Sequence, residues 1–303
     1  MHPGEISQQS PDKTAYIMAE SGEVVTYQQL EAAANQGAHL FRSLGLQRGD
    51  HIAILLENHP RFLQICWAAQ RAGLYYTAIS WRLQQDEVSY IVNNCEAQVF
   101  ITSQPRAEVA RPLLENAPDL RVCYMLDGVI DGFESFEEAL ATMPETPIAD
   151  QSEGAPMLYS SGTTGYPKGV KRPLPDAAYG EEEGINLISV LYGASQDSIY
   201  LSPAPLYHAA PLAFTMGCLR HGTPVVVMDH FEAEFALECI ERYSITHSQW
   251  VPTMFIRMLK LDDDVKGQYD LASHQCAIHA AAPCPKEIKQ QMMRWWGPIL
   301  WEY

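Results

Sequence analysis

The sequence predicts an α/β fold made of two α/β subdomains, residues 1–150 and 151–303. Three observations predict it. From residue 24 to about residue 142 short apolar runs alternate with helical patterns, the signature of strands joined by crossover helices. A polar, proline-bearing stretch without periodicity, MPETPIADQSEGA at 143–155, interrupts that alternation and reads as a linker. The chain's 303 residues also exceed the size at which a single hydrophobic core usually stops growing.

The elements follow in order. Thr26, with Gln29 three residues on, reads as a capping box opening a helix that runs through Leu44 and stops at Gly45. His51–Glu57 (HIAILLE) reads as a buried strand. A helix from Pro60 to Ala72 ends at Gly73, and a strand Tyr75–Ile79 follows. Asp86–Asn94 reads as a helix, and Gln98–Thr102 and Arg121–Leu126 complete a parallel sheet. Beyond the linker, strands at 198–201, 224–228, 246–249, 275–279 and 298–301 alternate with helices around 177–192, 207–220, 233–243, 253–261 and 285–296. No repeat of fixed period and no low-complexity segment is present.

Composition narrows the function classes. Hydrophobic residues at 47% and charged residues at 19% fit a folded globular chain. Twenty basic against 37 acidic residues give a net charge of −17, which opposes attraction to nucleic acid or an anionic membrane. An anionic ligand therefore needs a local site of backbone amides and a few cations. Seven scattered cysteines without a CxxC pair point to neither a disulfide framework nor a zinc site. The N-terminal MHPGEISQQSPDK has no signal-peptide pattern, and no apolar run reaches the ~20 residues of a membrane span. A cytoplasmic protein without a membrane span is expected.

The chemistry-bearing string is Tyr159–Val170, YSSGTTGYPKGV. Gly162, Gly165 and Gly169 permit tight turns and close backbone approach, Ser160, Ser161, Thr163 and Thr164 offer hydroxyl donors, and Lys168 adds a mobile positive charge. Amides in such a turn form an anion-binding concavity, so a phosphate ligand is chemically sensible. It is not a Walker A loop, because Pro167 precedes Lys168 and Gly169 follows it. A solvated hairpin between two strands would use the same residue types.

The whole string resembles the phosphate-binding signature of the adenylate-forming (AMP-dependent) synthetase and ligase superfamily, and the chain as a whole resembles the N-terminal portion of an acyl-CoA synthetase. The resemblance implies the two α/β subdomains of that superfamily's large N-terminal domain, ending before the remaining sheet or barrel and the C-terminal lid. It implies that Ser160, Ser161, Gly162, Thr163, Thr164, Gly165 and Lys168 hold the β- and γ-phosphates of ATP, with Lys168 also catalytic. Pro205–His208 resembles the family's second block, which puts His208 near the acyl carboxylate as a catalytic and acyl-pocket residue. Trp250–Thr253 resembles a segment lining the acyl pocket, so Trp250 is expected there, although core packing explains that residue equally well. Ala280, Ala281, Ala282 and Pro283 resemble the adenine wall, and tight helix–sheet packing would select the same small residues.

Pro298–Tyr303 resembles the strand entering the family's Tyr-Gly-x-Thr-Glu block, which places the magnesium-contacting glutamate beyond Tyr303 and no metal ligand within the chain. ATP, Mg2+ and CoA are the implied cofactors, with the Mg2+ and CoA sites largely outside these residues. A small carboxylic acid, fatty or otherwise apolar, is the implied substrate. The missing C-terminal part of the same enzyme is the implied partner, and self-association is expected where its surface is uncovered. The isolated chain is expected to be inactive. Two other readings stay open: a non-catalytic nucleotide- or acyl-binding fragment, and part of an aryl-CoA ligase or a peptide-synthetase adenylation domain. In the last, Asp229 or Glu232 would face a substrate amine.

Overall fold

A computed structural model describes residues 1–160, 167–181 and 187–303. The chain is a mixed α/β structure that packs as two compact units. The first comprises Gln28–Gly184 with Tyr207–Ala209, and the second His2–Tyr27, Ile185–Leu206 and Ala210–Tyr303.

The strands in chain order are β1 (Thr14–Met18), β2 (Val24–Thr26), β3 (His51–Leu55), β4 (Tyr75–Ala78), β5 (Ala97–Ser103), β6 (Val122–Leu126), β7 (Glu134–Ser135), β8 (Ala155–Pro156), β9 (Leu158–Ser160), β10 (Lys168–Val170), β11 (Tyr200–Ser202), β12 (Val225–Val227), β13 (His247–Trp250), β14 (Cys276–His279) and β15 (Leu300–Glu302).

In the first unit a six-stranded sheet runs β7-β6-β5-β3-β4-β8, and every neighbouring pair is parallel. All five residues of central β3 are buried, as expected of a parallel sheet covered on both faces, which is why HIAIL reads as a continuous apolar run. The crossover helices start where local chemistry allows. The His59 ring accepts from Arg61 N ahead of the helix Pro60–Arg71, whose first residue needs no N–H partner. The Glu87 carboxylate reaches back to Gln84 N at 3.0 Å ahead of the helix Gln85–Asn94.

The expected linker is stitched to this unit. Along the helix Tyr27–Ser43, Asn35 donates to Glu145 O, Gln36 to Met143 O and His39 to Thr146 O, and Arg42 pairs with Asp150 at 2.9 Å. Glu153 is 2% exposed, and its carboxylate accepts from the Gln70 amide and from Gly180 N. Gly154 lets the chain pass between backbones, since a methyl there would lie 2.4 Å from Leu74 O. Residues 151–181, as far as they are described, thus belong with the first unit, and the partition differs from a division at residue 150.

The second unit carries a seven-stranded sheet, β15-β14-β13-β11-β12-β1-β2, parallel throughout except for the β1–β2 hairpin at one edge. One face holds Leu201, Val226, Trp250 and Ala277, packed against the helices Ala233–Arg242, Pro252–Leu259 and Lys286–Trp296. The other face holds Tyr200, whose ring stacks on Phe214 of the helix Ala209–His221. The helix expected around 177–192 is helical, among its described residues, only from Leu187 to Tyr192. Residues 178–181 instead close a turn in which the Glu181 carboxylate accepts from Ala178 N and Gly180 takes a positive φ. No helix among the described residues is long and apolar enough to cross a membrane.

Candidate functional site

The glycine- and hydroxyl-rich string is carried by a two-stranded antiparallel hairpin. Strands β9 and β10 pair Leu158 with Val170, Tyr159 with Gly169 and Ser160 with Lys168, and the Ser160 hydroxyl donates to Lys168 O at 3.4 Å. Ser161, Gly162, Thr163, Thr164 and Gly165 lie outside the described residues. Ser160 and Lys168 are the outermost pair among the described residues of the string, and both are exposed. Among the described residues no ion pair engages the Lys168 ammonium, which leaves its charge available to an anion. The hairpin reading and the phosphate-loop reading are thus compatible, with the hairpin as the stem.

That stem is anchored by side chains the motif does not mention. Tyr159 donates its hydroxyl to Asn94 Oδ1 at 2.6 Å, and burial holds its pKa far above the ordinary phenol value, so the donor stays protonated. A methyl on Gly169 would stand 2.6 Å from Met157 Cε and 2.9 Å from the Tyr159 ring, so the cross-strand tyrosine requires a glycine opposite it. After β10, the Lys171 ammonium lies 4.7 Å over the Tyr75 ring, Tyr75 donates to Arg172 O at 2.6 Å, and the Arg48 guanidinium donates to Pro175 O. Beneath Tyr75, His51 stacks at 4.6 Å, and burial and then the Lys171 charge push its pKa down to about 4.

His208 is the middle residue of the short segment Tyr207–Ala209 that packs with the first unit. Tyr207 is buried, and its ring lies 4.3 Å from that of the exposed His208. The imidazole pKa is lowered, first by the protein around it and then by the Arg82 guanidinium, so His208 is a neutral donor and acceptor at pH 7.

In the second unit the strands present their carboxyl ends differently. Trp250 is 1% exposed and enclosed by Trp296, Phe231 and Phe255 at ring distances of 5.4, 6.2 and 6.3 Å. Its indole N–H donates to Ser248 Oγ, which is also 2.6 Å from His274 Nε2. The geometry packs Trp250 in the core, the second of the two roles weighed for it from the sequence. After β14 the chain turns through Ala281 at φ +73°, a left-handed conformation that costs an alanine about 1 kcal/mol. Ala280 is buried, whereas Ala281, Ala282 and Pro283 form an exposed strip of small side chains. Glu232 caps the helix Ala233–Arg242 by accepting from Phe235 N at 2.6 Å, which gives it a structural task in place of the amine-facing one.

Several polar groups of this unit are buried without a hydrogen-bond partner among the described residues. They include Tyr200 OH, Ser202 Oγ, Thr215 Oγ1, Gln249 Oε1 and both ring nitrogens of His279. Each such group costs about 1–3 kcal/mol if nothing pairs it. The sequence reading passed over all of them. Their signal there was a polar residue inside a buried strand, as Ser202 in YLS and Gln249 in HSQW.

Comparison with known proteins decides the family. The model of the AMP-binding enzyme family matches residues 5–303. The chain belongs to that family. Among similar curated proteins, the probable CoA ligase CCL5 of Humulus lupulus is 27% identical over 295 residues, covering 91% of this chain and 51% of that protein. The 4-coumarate–CoA ligase 3 of Oryza sativa subsp. japonica is 30% identical over 284 residues, covering 91% and 50%. This AMP-binding chain thus spans about half the length of the curated relatives it matches.

Solved structures share the fold at lower identity. The N-terminal domain of FACL13 from Mycobacterium tuberculosis superposes with a TM-score of 0.82 at 23% identity, covering 95% of this chain and 71% of that one. A long-chain-fatty-acid-CoA ligase (FadD1) from Archaeoglobus fulgidus superposes with a TM-score of 0.83 at 20% identity, covering 99% and 62%. The fold is therefore that of the N-terminal domain of adenylate-forming enzymes.

Proposed function

We propose that this AMP-binding chain supplies the ATP-phosphate loop and part of the acid- and adenine-binding walls of an acid–CoA ligase. The carrying observation is the stem that presents an exposed Lys168, without an ion pair among the described residues, beside Ser160, within a family match that spans nearly the whole chain. In the reaction, a carboxylate oxygen attacks the α-phosphorus of ATP, the bond to the bridging oxygen breaks and pyrophosphate leaves. The CoA thiol, giving up its proton, then attacks the acyl carbonyl and AMP leaves.

Lys168 neutralises charge on the β- and γ-phosphates, and Ser160, Ser161, Thr163 and Thr164 donate hydroxyls to their oxygens together with the amides of Gly162 and Gly165. His208, neutral at pH 7, donates a hydrogen bond to the acid's carboxylate and holds it for in-line attack. Ala280, Ala281, Ala282 and Pro283 offer the adenine a flat apolar surface. CoA ligases use magnesium with ATP, but among the described residues no three His, Cys, Asp or Glu side chains converge to hold a metal ion. The substrate is an acid with a largely apolar body, as the names 4-coumarate–CoA ligase and long-chain-fatty-acid-CoA ligase among its relatives indicate. All seven cysteines are free and six are buried, which suits a reducing compartment such as the cytoplasm.

Titration calorimetry tests the reading. ATP binds the 303-residue chain, and acid-dependent exchange of pyrophosphate into ATP requires the remaining length that the relatives possess. Absence of binding heat at millimolar ATP overturns the assignment of the loop.

A further inference from the structure

We propose that a cavity on the outer side of the second unit, where Lys266, Arg294 and Trp295 meet, is a separate binding site that takes a small aromatic carboxylate. The inference goes beyond the acid–CoA ligase reading and does not rest on it.

Three helices of the second unit frame the cavity. Its volume is about 520 Å³, within the range of small-molecule sites, and its lining includes Leu259, Asp263, Lys266, Gln291, Arg294 and Trp295. Leu259 ends the helix Pro252–Leu259, Lys266 ends the short helix Asp263–Lys266, and the other three come from the helix Lys286–Trp296. At spacings of three and four residues Gln291, Arg294 and Trp295 share one side of that helix, while Met292 and Trp296 are buried in the core. Arg294 lies about 12 Å along the helix from Lys286, so the cavity is separate from the Ala280–Pro283 strip that precedes it.

The charges inside it run against those of the molecule. The whole chain carries −17 and repels small anions, yet in this cavity two cations face one carboxylate. Arg294 is exposed and no ion pair engages it among the described residues, so its planar fork of donors is open to a carboxylate. Its place in the last turn also complements the helix dipole, a task that leaves those donors unused. Lys266 is held from two sides, its ammonium 2.6 Å from the Asp263 carboxylate and 5.8 Å from the centre of the Trp295 ring. The Lys266 side chain is 19% exposed and that of Asp263 is 96% exposed, and an ion pair with one member so open to water contributes little to stability. A ligand carboxylate therefore displaces Asp263 from Lys266 readily and takes Arg294 as its second partner. Leu259 and the half-buried Trp295 supply the apolar wall, against which an aromatic body gains over an aliphatic one by stacked or edge-on contact with the indole. Gln291 offers an amide donor on the same side.

Fluorine NMR of the chain labelled with 5-fluorotryptophan tests the proposal. The chain has six tryptophans, and Trp295→Phe identifies the Trp295 line. Without nucleotide, millimolar 2-naphthoate shifts that line saturably. Cyclohexanecarboxylate binds at least about threefold more weakly by the same readout, and 2-naphthylmethylammonium leaves the line unmoved. Arg294→Gln weakens 2-naphthoate about tenfold. Asp263→Asn strengthens it about two- to fivefold, because Lys266 loses its competing carboxylate. Both residues are exposed, so neither variant endangers the fold. An unmoved Trp295 line overturns the inference. So does an affinity that Arg294→Gln leaves unchanged, one that Asp263→Asn does not raise, or equal binding of the cyclohexane acid or the amine. The ligase reading is judged by ATP binding heat, a different signal, so either proposal can fail alone.

Discussion

Ser160 and Lys168 stand on an exposed two-stranded stem, whereas Ser202, Gln249 and Trp250 stand inside a seven-stranded sheet, buried on both of its faces. The stem's groups are cheap to expose and need no partner until an anion arrives. The sheet's groups are costly to bury, and each must be satisfied by packing, by a neighbour or by a ligand. A change in the stem should therefore be read in binding, and a change in the sheet in stability. Each region also keeps a buried neutral histidine whose pKa burial depresses strongly, His51 under the arm that follows the stem and His274, one of three in the second unit, beside the Ser248–Trp250 pair.

The largest expected effect lies in the sheet. Trp250→Ala removes a ring enclosed by three aromatic neighbours and should cost about 3–5 kcal/mol in urea denaturation. A loss under about 1 kcal/mol would restore the pocket role for this residue. Next comes acid. Burial lowers His51 to about 4 and His274 to about 3. Both are depressed below the unfolded value near 6.5, so their neutral forms contribute stability that is complete above about pH 6.5 and drains away as pH falls toward about 4 for His51 and further for His274. The urea midpoint should drop across that window by the equivalent of roughly 3 kcal/mol for each histidine, and His51→Gln should remove about half of the slope above about pH 4. An unchanged slope would mean that the arm leaves His51 open to water.

Smaller effects separate the stem from its tip. Gly169→Ala forces a methyl against Met157 and Tyr159 and should destabilise by about 1–3 kcal/mol, visible also as a loss of protection of the Ser160 and Val170 amides in hydrogen exchange. Lys168→Ala should change stability by less than about 0.5 kcal/mol, because the side chain is exposed. It should weaken ATP binding about tenfold in calorimetry. If it unfolds the chain without touching ATP affinity, the contrast between the two regions is reversed.

Much of the frame was legible because it is local. β3 and β14 are short apolar runs flanked by turn residues, and the helices Pro60–Arg71 and Ala233–Arg242 carry their own caps. The place of β1 in the sheet was not, because its parallel partner is β12, about two hundred residues away, and nothing within Thr14–Met18 announces it. The 143–155 stretch looked like a linker because a string of polar residues has no period, yet those polar groups bind it to the first unit. The site divides in the same way. The string around Lys168 could be read at a glance, while its anchor Tyr159–Asn94 spans 65 residues. Ser202 and Gln249 look like surface residues until register sets them side by side.

The turn at Ala281 has a consequence for anyone engineering this chain. A glycine would relax that left-handed position and raise the unfolding midpoint, with a gain of about 1 kcal/mol before the added freedom of the unfolded chain is subtracted. The methyl that would be lost is exposed, between Ala280 and Ala282, on the surface proposed for the adenine. A more durable protein and a poorer nucleotide seat would then come from one carbon atom, and a melting curve with and without ATP would show both at once.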